Sequence, residues 1–259
     1  NGVTFVAWNW KANSSGTSVS ESGTSANSYN ACTHYANQDA GFSIIKYTGN
    51  NGSLSNGQET RVTHGLGAVP ELIIIKNRSS SSGWVVQQDD QWNDTHLRLD
   101  TTDAFNGTLF TGNQESNATS SYFVVGNDDI VNKADDEFIA YVWKSVEGYS
   151  KKGEYTGNGN ADGTFVYTGF RPAFVMMKDR INANSWVIID SERDTYNQSL
   201  KRLYPNSSEV EYTATDDTII DIVSNGFKHR YAGGNANQSD DEVIYIAFAE
   251  TPFKYSNAR

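Results

Sequence analysis

The sequence repeats itself with a spacing close to the length of one small β-domain. Lys76 recurs as Lys178 and Trp84 recurs as Trp186, each 102 residues later. The neighbouring strings recur in the same order: YTGN, a proline followed by an apolar run, a Trp-Val pair, and DDE before a closing apolar run. A unit of roughly 105 residues is too long for a solenoid repeat and has the size of one β-sandwich. The duplication predicts two domains in tandem, at 41–147 and 148–259.

Short apolar segments between turn residues predict strands in both units. The run at 69–76 is short, rich in β-branched residues and flanked by Gly and Pro, which favours a strand over a helix. Ile73–Ile75 and Val175–Met177 are expected inside the two cores, together with the rings of Trp84 and Trp186. No apolar stripe of helical period exceeds two turns. The predicted fold class is therefore all-β: two tandem antiparallel β-sandwich repeats, jelly-roll or Ig-like, with an N-terminal linker strand.

Residues 1–40 lie outside this duplication. Phe5, Val6, Ala7 and Trp8 match the closing strand of a repeat whose earlier part is missing, and a Ser- and Asn-rich stretch without periodicity follows. We expect the end strand of a preceding module plus a linker, and hence the trailing part of a longer or processed polypeptide. Because an exposed strand edge invites pairing, we hypothesise that these four residues form an assembly strand that completes a preceding domain or a neighbouring subunit.

The net negative charge of the chain argues against two classes of binding partner. The chain of 259 residues has 31 Asp and Glu against 20 Lys and Arg, a formal net charge of -11. Such a surface repels nucleic acid and anionic membranes, so neither is expected as a partner. Membrane insertion is not expected either, because no apolar run approaches the roughly 20 residues that span a bilayer. Abundant Gly, Asn, Ser, Thr and aromatic residues are typical of β-rich extracellular or virion proteins.

Several long strings carry a resemblance to a known family. GLGAVPELIIIK, FVYTGFRPAFVMMK and the ending AFAETPFKYSNAR occur in this order with the two YTGN motifs. Together they resemble a repeated domain of uncharacterised role found in virion proteins of tailed bacteriophages, particularly marine ones, often C-terminal to a lectin-like module. The resemblance covers roughly 41–259. It implies a non-enzymatic structural protein on the exterior of the particle, as a tail fibre, an appendage or a capsid decoration. We expect it to associate with itself and with other virion proteins, or to present a surface for host attachment.

Acidic residues are the best candidates for other chemistry. Asp135, Asp136, Asp240 and Asp241 stand directly before the two closing strands. The favoured interpretation is a charged hairpin end that keeps a sheet edge from pairing. Calcium binding is an alternative, because calcium accepts six to eight oxygen ligands, although no EF-hand spacing is present. Hydrolysis of a glycosidic bond is a third, but adjacent carboxylates alternate faces on a strand and do not flank one bond. No other cofactor is expected.

Aromatic side chains that differ between the units are candidates for ligand contact. Trp92 and Tyr196 lie where the two units diverge, and divergent loops carry specificity. These two residues are our predicted ligand surface. The alternatives to a purely structural protein are a carbohydrate-binding module for host surface polysaccharide and, second, a polysaccharide depolymerase.

Overall fold

Antiparallel strands make up most of the computed structural model, which describes residues 5–24, 27–51, 59–88, 95–105, 107, 118–213, 215 and 217–251. The all-β prediction is confirmed, since the described part of the chain contains one helix, the single turn Asp129–Asn132 (α1). Asp128 caps it by accepting the Ile130 amide. No helix in the described ranges is long and apolar enough to cross a bilayer.

Strands before Ser145 form the first half of the molecule. They are β1 (Thr17–Val19), β2 (Ser22–Thr24), β3 (Asn27–Tyr29), β4 (Cys32–Asn37), β5 (Phe42–Thr48), β6 (Glu59–Thr63), β7 (Leu72–Asn77), β8 (Trp84–Gln88), β9 (Leu97–Arg98), β10 (Tyr122–Val125) and β11 (Glu137–Trp143). A large sheet has the order β1-β4-β5-β11-β7-β8-β9, and a small sheet has the order β10-β6-β3-β2. Within these sheets β3 and β6 pair in parallel, and the other neighbours are antiparallel.

Strands after Glu147 form the second half. They are β12 (Ser150–Thr156), β13 (Phe165–Tyr167), β14 (Pro172–Asp179), β15 (Val187–Asp190), β16 (Lys201–Arg202), β17 (Tyr212–Thr213), β18 (Ile220–Val223), β19 (Gly226–His229) and β20 (Glu242–Ala249). The large sheet runs β12-β20-β14-β15, the small sheet β13-β19-β18, and β16 pairs with β17. The large-sheet order corresponds to β5-β11-β7-β8 in the first half, with the closing strand inside the sheet in both.

Both faces of each large sheet are buried. Ile73 and Ile75 face the small sheet of the first half, whereas Ile74 packs among side chains of the second half. Val175 and Met177 likewise enter the core of the second half, while Met176 faces the first. Because alternate side chains of a strand point to opposite faces, burial on both faces explains why these runs are apolar at every position. The expected burial of both runs is confirmed.

The two large sheets pack against each other through a shared cluster, here called the inter-half core. It consists of Phe42, Leu72, Ile74, Val86, Leu97, Trp143, Phe174, Met176, Trp186, Ile188, Ile244, Ile246 and Phe248. Trp186 is almost fully buried there, and its indole N–H donates to the Arg98 carbonyl of the first half at 2.7 Å. Its counterpart Trp84 is half-buried and stacks on Tyr141. Core packing is thus confirmed for Trp186 and only partial for Trp84.

The prediction of a linker over 1–40 is wrong for the described residues 17–37. Strand β4 pairs with β5 along its whole length, from Cys32 opposite Tyr47 to Asn37 opposite Phe42. β1 then adds to β4, while β2 and β3 extend the small sheet. The physical reason is that β5 would otherwise leave an unpaired strand edge. Polar residues are tolerated here because β1 is the edge strand of the sheet and most side chains of β4 are only half-buried.

No strand forms at Phe5–Trp8, so the predicted conformation of this segment is wrong, while its role in assembly stays a prediction. Residues 5–16 belong to no strand, and the side chains of Trp8 and Trp10 point inward while Phe5 is 90% exposed. Trp10 contacts the rings of Trp143, Phe174 and Phe248 at centroid distances of 6.2, 5.7 and 5.2 Å. The segment therefore docks through its aromatic rings on the inter-half core of the same chain, and burial of the rings replaces the expected backbone pairing.

Candidate ligand-binding face

Two aromatic rings project together from the small sheet of the second half. Phe165 and Tyr167 lie on β13, an edge strand, and are 46% and 58% exposed. Val166 between them is buried in the core of this half. Strand alternation therefore places both rings on the solvent side, roughly 7 Å apart along the strand. Two large rings exposed side by side make this sheet face a candidate contact surface.

Paired charges surround the two rings. Lys228 lies opposite Phe165 on β19, and its ammonium contacts Asp162 at 2.5 Å. The hydrogen bond from Lys228 and its positive charge lower the pKa of Asp162. Arg230 is bound to Asp221 at 2.6 Å. Each carboxylate on this face thus has a cationic partner; the Asp162 side chain is 78% exposed and that of Asp221 is 14% exposed.

The amine of Lys151 completes the surface. It donates to the Tyr167 carbonyl at 2.9 Å and lies 5.4 Å from the centroid of the Tyr167 ring. We call this surface the aromatic face; it consists of Lys151, Asp162, Phe165, Tyr167, Asp221, Lys228 and Arg230. It presents two flat apolar rings within a frame of hydrogen-bond donors and acceptors.

The small sheet of the first half has aromatic rings that are already covered. The Arg61 guanidinium lies 4.4 Å from the ring of Tyr122 and 5.7 Å from that of Tyr29. These two rings meet edge to face at 5.9 Å. A cation therefore occupies the stacking surface. Lys151 lies over the Tyr167 ring in a similar way, but Tyr29 and Tyr122 are half-buried whereas Phe165 and Tyr167 are exposed. The second half therefore carries the more exposed pair of rings.

A polar groove of about 730 Å³ also opens in the first half. It is lined by residues that include Lys11, Ser14, His34, Asn37 and Gln38. Burial lowers the pKa of His34, so its ring is neutral near pH 7. No Phe, Tyr or Trp ring lines this groove in the described part of the chain. It offers hydrogen bonds without a stacking surface, and the aromatic face is therefore the stronger candidate.

The recurring YTGN and DDE motifs bind each other in both halves. Gly49 exchanges backbone hydrogen bonds with Asp135 and Asp136, and Gly157 does so with Asp240 and Asp241. A Cβ at Gly49 would lie 2.1 Å from the Lys133 carbonyl oxygen, which explains the glycine. The repeated motifs thus hold the closing strand in register, and their recurrence reflects structure rather than catalysis.

Comparison with known proteins identifies the family. A family model described as a domain of unknown function, DUF7483, matches residues 1–252. The chain belongs to the DUF7483 family. No curated protein and no solved structure matches it. The DUF7483 match includes the N-terminal segment as well as both halves, so one family model covers the whole arrangement described above.

The structure describes one of the two predicted ligand residues of the DUF7483 chain. Tyr196 is 86% exposed, and the adjacent Asn197 hydrogen-bonds Ile222 of β18, at the opposite edge of the small sheet from β13. Trp92 lies outside the described residues. The sequence reasoning missed Phe165 and Tyr167, although the alternation of aromatic residues around Val166 was a usable signal.

The four aspartates do not form one site. Asp135 and Asp240 adopt a left-handed conformation with φ of 65°, which aspartate tolerates in turns. Asp136 accepts the Asn77 amide at 2.8 Å, and Asp241 accepts the Gln238 backbone N–H at 2.7 Å. N–H groups of the protein therefore already donate to the carboxylate oxygens that would have to bind a calcium ion. Over the described residues, no three His, Cys, Asp or Glu side chains cluster in a way that could hold a metal.

A buried carboxyl pair distinguishes the second half. Asp179 occupies the position that Asn77 occupies in the first half, and it is hydrogen-bonded to Asp241. Both carboxyl groups are almost completely buried. Burial, and then the charge of Asp179, raise the pKa of Asp241 to about 6. No substrate reaches these groups, so their effect is on stability.

Proposed function

We propose that the chain is a non-enzymatic structural protein on the exterior of a bacteriophage virion, where it presents a surface for host attachment and associates with itself and other virion proteins. Its two halves are proposed to be tandem copies of one β-sandwich. The corresponding order of the large sheets and the recurring YTGN and DDE contacts support duplication. The resemblance to phage virion proteins supports the location.

The observation that carries the attachment role is the exposed ring pair of the aromatic face. Phe165 and Tyr167 belong to a half that has a complete core without them, so their exposure is not a requirement of folding. Rigid aromatic rings with polar neighbours are the side chains that binding surfaces favour. A carbohydrate-binding module, our second candidate, is supported by the same observation.

A polysaccharide depolymerase is less well supported. Hydrolysis needs two carboxyl groups on either side of the scissile bond, roughly 5 to 9.5 Å apart. On the aromatic face, Asp162 is paired with Lys228 and Asp221 with Arg230. Burial raises the pKa of a general acid, whereas the pKa of Asp162 is lowered. Product analysis after incubation with host polysaccharide would reveal cleavage if it occurs.

We expect the purified chain to compete with the virus particle for adsorption to host cells. The double variant Phe165→Ala, Tyr167→Ala is expected to lose at least about tenfold in competing potency, because both stacking surfaces are removed. Val210→Ala, which alters another exposed apolar side chain, is the control and should compete like the unmodified chain. Equal competition by the double variant and the control would contradict the role of the aromatic face.

A further inference from the structure

The spacing and orientation of the two rings restrict what the aromatic face can hold. Phe165 and Tyr167 are separated by one residue on an edge strand, so both rings lie on the same side, roughly 7 Å apart. Flat rings at this spacing can stack on successive rings of a linear polymer. The positively polarised C–H face of a pyranose complements the negative face of an aromatic ring.

The charges of the face restrict the polymer further. Lys151, Lys228 and Arg230 oppose Asp162 and Asp221, which leaves one net positive charge on a chain whose net charge is -11. Because both carboxylates are paired, neither a polycation nor a polyanion finds several uncompensated partners. A neutral, hydroxyl-rich ligand matches this balance, since hydroxyls donate to carboxylates and accept from ammonium and guanidinium groups.

A second copy of the chain fits this face poorly. A standard interface buries about 800 Å² on each partner, whereas two aromatic side chains that are about half exposed provide only roughly 200 Å². The area of the face therefore favours a polymer with small repeating units.

We propose that the aromatic face binds a neutral polysaccharide of hexopyranose units, with Phe165 and Tyr167 stacking on sugar rings. Asp162, Asp221, Lys228 and Arg230 bind the hydroxyls. Lys151 fixes the orientation of the strand beside Tyr167. The inference rests on the attachment role proposed above, and it specifies the chemical class of the attached surface.

Isothermal titration calorimetry of the full chain tests this inference with four probes: dextran, mannan, galactan and the acidic polymer alginate. We expect binding to at least one neutral polymer. Phe165→Ala and Tyr167→Ala should each weaken it at least about tenfold. Tyr167→Phe keeps the ring and should stay within about threefold, as should the control Val210→Ala. Circular dichroism and thermal unfolding establish that each variant is folded.

Several results would overturn the inference. They are absence of binding to every neutral polymer at about 1 mM sugar, binding to alginate alone, and loss of binding with Tyr196→Ala instead of the two β13 variants. A concentration-dependent dimer that Tyr167→Ala abolishes would assign the face to a second copy. If the chain blocks adsorption but binds no neutral polymer, the attachment role stands and this inference fails. If it does neither, both fail.

Discussion

Replacing Trp186 with alanine is expected to lower the free energy of unfolding by about 3–5 kcal/mol. The ring is buried between the two large sheets, and its removal leaves a cavity as well as an unpaired carbonyl at Arg98. Urea denaturation followed by circular dichroism measures the loss.

Two further variants separate the contributions to this loss. Trp186→Phe keeps most of the buried ring but removes the N–H donor, and should cost about 1–3 kcal/mol. Trp84→Ala is the matched variant in the first half; because Trp84 is half-buried, we expect roughly half the effect of Trp186→Ala. A loss below about 1 kcal/mol for Trp186→Ala would contradict packing of the two large sheets through this ring.

The carboxyl pair Asp179–Asp241 is expected to make the second half less stable as the pH rises. The pKa of Asp241 is raised from 3.8 to about 6 in the folded chain, so folding favours its protonated form. Its stabilising contribution is complete below pH 3.8 and is lost as the pH rises through about 6, by about 2–3 kcal/mol in total. Burial lowers the pKa of His64 to about 4 and that of His229 to about 3, so these two side chains make stability rise with pH over the same range. The contribution of the carboxyl pair is therefore measured as the difference between the thermal unfolding profiles of the unmodified chain and a variant without the pair, between pH 3.5 and 7.5.

Exchange of Asn and Asp between the halves gives a matched test. Asp179→Asn places an amide beside Asp241, as Asn77 lies beside Asp136 in the first half. It should remove the falling contribution of the pair, so that stability rises more steeply between pH 4 and 6 than in the unmodified chain. Asn77→Asp places a second carboxyl beside Asp136 and should destabilise the first half by about 2 kcal/mol at pH 7, and by less at pH 4. An unchanged pH profile for both variants would show that the pair does not govern this dependence.

Sequence reasoning succeeded where local pattern and burial coincide. The β-branched run at Ile73–Ile75 and its counterpart Val175–Met177 are strands buried on both faces. Trp186 is buried as expected. In each case the local sequence is enough to predict the structure, because a short apolar run between turns has few alternatives to a buried strand.

Long-range pairing was the part that sequence could not supply. The polar strand β4 becomes structural only because β5 needs a partner, and Trp8 reaches its partners across most of the chain. The exchange of Asn77 for Asp179 was visible at the repeat spacing, but its effect depends on burial next to Asp241. The solvent exposure of Phe165 and Tyr167 likewise depends on which face of β13 packs against the core.

The location of the chain on the particle is the central claim, and electron microscopy of antibody-labelled virions tests it most directly. The proposal predicts that antibodies against the purified chain label the outside of intact particles of a phage whose genome encodes the chain, before any disruption. Labelling that appears only after the particles are opened, or no labelling of purified particles at all, would contradict an exterior structural role.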